Sequence, residues 1–97
     1  MSPDLRARLA GYQIQLLSEA REFSIFAREN CFALVHHGES AMRGIGSSGM
    51  MTGNGLAWLV WRNGQPHLVG KGTDVPALPA EVEAIRRFSQ DLKAVLA

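Results

Sequence analysis

The sequence predicts an α+β domain: an antiparallel sheet of about five short strands, with an N-terminal and a C-terminal helix packed on one face, in the order α-βββ-ββ-α. Three observations predict it. Two apolar runs, Gly55 to Arg62 and Gln65 to Gly70, flank the dipeptide Asn63-Gly64. Val82, Ile85, Phe88, Leu92, Val95 and Leu96 recur at helical spacing near one end of the chain. Leu5, Leu9, Tyr12, Leu16 and Ala20 do the same near the other.

The first helix is capped by Ser2 or Asp4, and Pro3 suits its first turn, where a missing N–H costs nothing. Its stripe carries it towards Arg21, past Gly11, which costs about 1 kcal/mol relative to Ala in a helix interior. Residues 22–28 can be read in two ways. Phe23, Ile25 and Ala27 alternate with Ser24, Phe26 and Arg28 as in a strand, whereas Ala20, Phe23 and Ala27 would extend the helix. The strand is favoured, because Arg28-Glu29-Asn30 then turns into the β-favouring run Cys31 to His37. Gly38-Glu39-Ser40 reads as a turn, Ala41 to Ser47 as a weaker strand and Gly49 to Asn54 as a loop.

Asn-Gly is the pair best suited to a two-residue hairpin turn, since both central residues need positive φ. The turn fixes register: Arg62 faces Gln65, Trp61 faces Pro66, Val60 faces His67, Leu59 faces Leu68 and Trp58 faces Val69. Pro66 then has no N–H to offer on its outer side, which marks 66–70 as a local sheet edge. Gly72 to Pro79 reads as a linker. Pro79 begins the last helix, with Glu81 and Glu83 near the positive end of its dipole.

The 97 residues imply one domain spanning 1–97. Ten Lys and Arg against nine Asp and Glu leave a net charge of +1, too balanced to steer a nucleic acid. Arg6 with Arg8, and Arg86 with Arg87, read as solvated helix faces. Cys31 is the only cysteine, which excludes an intrachain disulfide and predicts a buried free thiol. The opening Met-Ser-Pro-Asp-Leu-Arg lacks a signal peptide's apolar core, and no run reaches membrane-spanning length. The expectation is a soluble cytoplasmic protein without nucleic-acid or membrane partners.

Gly44-Ile45-Gly46-Ser47-Ser48-Gly49 matches G-x-G-x-x-G, but two further glycines at 53 and 55 argue against the helix a dinucleotide site needs. The surviving functional reading is an anion nest of Gly46, Ser47, Ser48 and Gly49 backbone amides with Arg43 beside it, in a sensory module built on loop 44–55. Met50-Met51 reads as packing. His36 and His37 are adjacent on a strand and point to opposite faces, so even with Glu39 or His67 they make no recognisable metal set. No nucleophile, base and orienter are spaced for catalysis. Neither cofactor, metal nor catalytic residue is assigned.

The hairpin is apolar on both faces: Ala57, Leu59, Trp61 and Leu68 on one, Leu56, Trp58, Val60 and Val69 on the other, which also carries His67. Two helices cover one face of so small a sheet. The sequence therefore predicts a non-enzymatic interaction domain that forms a homodimer, or binds another protein, through Trp58, Val60, Trp61, His67 and Val69, or through a strand edge.

Overall fold

The computed structural model describes residues 3–36 and 45–96. The expected cap at Ser2, His37, the turn at Gly38-Glu39-Ser40, and Ala41 to Gly44 with Arg43 lie outside them.

Helix α1 (Pro3–Gly11) starts as expected but ends well before Arg21. Gln13 adopts a left-handed φ of 60°. The Ile14 N–H donates to the Leu9 carbonyl at 2.9 Å and the Gln13 N–H to the Ala10 carbonyl at 3.0 Å. This paired reversal closes a helix C-terminus, and its apolar clasp is Leu9 against Ile14, both buried. The helical stripe is thus real up to Leu9 and coincidental beyond it. Leu16 reaches the core from strand β1 (Gln15–Glu19) instead.

Strand β2 (Phe23–Arg28) resolves the ambiguous segment as extended, and β3 (Cys31–His36) follows after the two-residue turn Glu29-Asn30. Strand β4 (Ile45–Thr52) absorbs most of the expected loop at 49–54; the chain reverses at Gly53-Asn54. Thr52 stabilises that reversal, its hydroxyl accepting from the Asn54 N–H at 3.2 Å and donating to the Gly55 carbonyl at 3.0 Å. Strands β5 (Gly55–Arg62) and β6 (Gln65–Gly70) form the expected hairpin with the expected register at every pair from Arg62–Gln65 to Trp58–Val69. Asn63 and Gly64 have φ of 51° and 76°, as the tight turn demands.

The expected linker is part of the sheet: Thr73–Pro76 forms β7 and pairs along β6. The edge expected at 66–70 is therefore interior. The proline is tolerated because Pro66 lies just beyond the last β6–β7 pair, His67–Pro76, and only its carbonyl is engaged there, by the Ala77 N–H at 2.9 Å. Among the described residues the sheet thus has seven strands rather than about five, all antiparallel and in chain order β1 to β7.

Helix α2 (Pro79–Leu96) begins at Pro79, with the Glu81 carboxylate accepting from the Leu78 N–H at 2.8 Å, the returning half of a capping box. Ile85, Phe88, Leu92 and Val95 are buried, as their spacing predicts.

Residues paired directly across strands share a face. Phe26 with Ala33, Cys31 with Met50, Met50 with Ala57, and Leu59 with Leu68 define the face beneath the helices. These residues, Leu9 of α1 and the buried stripe of α2 form one apolar cluster. This is the helix face of the sheet, and the other is its open face.

Candidate functional site

The open face alternates in register with the core. It carries Ile25 paired with Leu34, Met51 with Leu56, Trp58 with Val69, and Val60 with His67. None of these residues belongs to the apolar cluster that holds the helices. Leu56 is exposed and the others are half-buried, so a broad apolar surface lies away from the helices.

At its centre Phe32, Gly49 and Trp58 stand in one row across β3, β4 and β5. A Cβ on Gly49 would lie 2.0 Å from the Ala57 carbonyl oxygen, so the position admits only hydrogen. The two rings meet beside it, centroids 4.7 Å apart and planes at 75°, the edge-to-face arrangement that places one ring's positive rim against the other's negative face. Phe32 is fully buried there, without belonging to the helix-face cluster.

One rim is polar. Asp74 of β7 accepts from Arg62 of β5 at 2.6 Å and lies 3.3 Å from Nδ1 of His67 on the strand between them. The Arg62 hydrogen bond is the main cause holding the Asp74 carboxyl below its ordinary range, with a smaller contribution from His67.

The residues expected at an interface divide between the two faces. Trp58, Val60, His67 and Val69 lie together on the open face, while Trp61 pairs with Pro66 on the helix face and is 59% exposed. Ile25, Leu34, Met51 and Leu56 extend the open face. Their alternation along the strands was the available signal, but it becomes a surface only when the neighbouring strands are in register.

Gly46, Ser47, Ser48 and Gly49 lie on extended β4 rather than in a loop. Successive amides of a strand point to opposite sides, so these four do not form the concave nest that an anion would enter. Cys31 is a buried free thiol. Burial pushes its pKa up, against the opposing charge of Arg28 and with a small addition from Glu29, so it stays protonated at neutral pH. Among the described residues no three His, Cys, Asp or Glu side chains converge as metal ligands, and no helix is long and apolar enough to cross a membrane.

The fold and this surface define an α+β antiparallel meander with one helix-covered and one apolar open face. No protein-family model, curated protein or solved structure matches the chain.

Proposed function

We propose that the chain is a small non-enzymatic interaction domain that self-associates through the open face of its sheet, two copies packing face to face. The observation that carries this reading is the apolar row Ile25, Leu34, Met51, Trp58, Val60 and Val69, outside the cluster that buries the helices. A second copy supplies the same apolar character and satisfies two-fold symmetry with one surface.

The alternative route, pairing of sheet edges, is disfavoured by both edge strands. The register of β1 shifts between Leu16 and Ser18. Strand β7 has four residues and ends in Pro76. A bulge and a proline are devices that discourage strand addition. The Arg62–Asp74–His67 group at the border supplies the polar rim common to protein interfaces.

Sedimentation equilibrium at micromolar concentration tests the proposal. The wild-type chain is expected to give twice its monomer mass, and the double variant Val60→Glu, Val69→Glu the monomer mass with circular dichroism unchanged. A wild-type monomer throughout this range would overturn the reading.

A further inference from the structure

A cleft of about 470 Å³ opens where the α1–β1 connection, the β2–β3 turn and the first half of α2 meet. Cys31, Ala84 and Phe88 provide apolar lining, and Gln13, Arg28, Glu29, Glu83 and Arg87 are the polar groups around it. We propose that this cleft binds a small zwitterion of the α-amino-acid class. Its carboxylate would lie on Arg28 and Arg87, its ammonium on Glu29, and its side chain against Ala80 and Ala84.

Size is the first argument: the volume lies within the range of small-molecule sites. Donor accounting is the second. Arg28 is anchored by Nη1 alone, which donates to Asp91 at 2.8 Å and to the Tyr12 carbonyl at 3.2 Å, while its guanidinium carbon sits 5.6 Å from the centre of the Phe88 ring. Among the described residues its Nε and Nη2 N–H groups have no acceptor. Arg87 gives Nε to Glu83 at 3.1 Å and keeps both terminal nitrogens. Two guanidiniums with spare N–H groups suit a carboxylate.

Charge balance is the third argument, and it selects the ligand class. The lining holds two guanidiniums and two carboxylates, so no net field draws in a simple anion. Glu83 is engaged by Arg86 and Arg87, whereas Glu29 has no partner among the described residues. A free carboxylate in the same lining as spare guanidinium donors complements a molecule that carries both charges.

The test follows the amide resonances of Gln13, Glu29, Cys31 and Phe88 during titration with phenylalanine, phenylacetate or 2-phenylethylamine. Phenylalanine is expected to give saturable shifts, and the other two, each lacking one charge, to bind about tenfold more weakly. Glu29→Gln and Arg87→Gln change exposed side chains and should each weaken phenylalanine binding by about tenfold, Glu29→Gln without lowering the melting temperature. Absence of saturable shifts up to about 10 mM phenylalanine, or equal binding of all three probes, would overturn the proposal.

Discussion

Single residues set the limits of this sheet. Gly49 is the sharpest case, because its α-carbon faces the Ala57 carbonyl with no room for a methyl group. The obstacle is backbone, which cannot swing aside as a side chain would. Gly49→Ala is expected to cost more than about 2 kcal/mol in urea unfolding and to disturb the near-ultraviolet signal of Trp58, since relief would part β4 from β5. A loss below about 0.5 kcal/mol, within ordinary surface scatter, would refute that account. Asn63 and Gly64 sit at the other extreme: their positive φ angles follow from residue type, and the sequence announces them. Gln13 takes the same left-handed region with no such announcement, because the closing hydrogen bonds of α1 impose it.

The elements show why some of the architecture could be read in the sequence and some could not. The β5–β6 hairpin was legible to the residue because its turn chemistry is local, and parity then assigned every side chain to a face. Helix α2 was legible because Pro79 marks its start and its stripe is long and regular. Strand β1 was not legible. Leu16 continues a helical spacing by chance, and the break before it rests on a glutamine rather than a glycine. Strand β7 was hidden by its prolines: Pro76 closes the strand and Pro79 opens the next helix, so 72–79 resembles a linker. On α2, Glu83 is clasped by Arg86 and Arg87, three and four positions further on, about one turn away. Hydrogen bonds from Arg86 first, and then Arg87, lower its carboxyl from an ordinary 4.5 to about 2. A depressed acid contributes stability above its unfolded value and loses it as pH falls through the folded one. Carbon-13 titration of the Glu83 carboxyl is therefore expected to show a midpoint near 2, with the clasp weakening between about 4.5 and 2; a midpoint near 4.5 would show the pairs to be absent in solution.

At the scale of the molecule, the two surfaces differ in how far a sequence can announce them. The open face follows from alternation within strands, so its apolar character was foreseen for the hairpin and then extended by the neighbouring strands. The cleft could not be foreseen, because Gln13, Arg28 to Cys31, and Ala80 to Phe88 are brought together only when α2 folds back across the sheet. If two copies bury their open faces together, association and folding are linked by mass action. The melting temperature should then rise with protein concentration, by several degrees between about 1 and 100 μM, whereas an invariant value would indicate a self-sufficient monomer.

The strand order β1 to β7 has a consequence for how the chain reaches this state. Every rung joins neighbours along the polypeptide, so the sheet can be laid down hairpin by hairpin with small loop-closure penalties, a topology that favours rapid assembly. The helix that shields most of one side follows all seven strands. During synthesis a growing ribbon with both greasy sides bare would precede its own cover, the interval in which a chaperone or premature clumping would compete with folding.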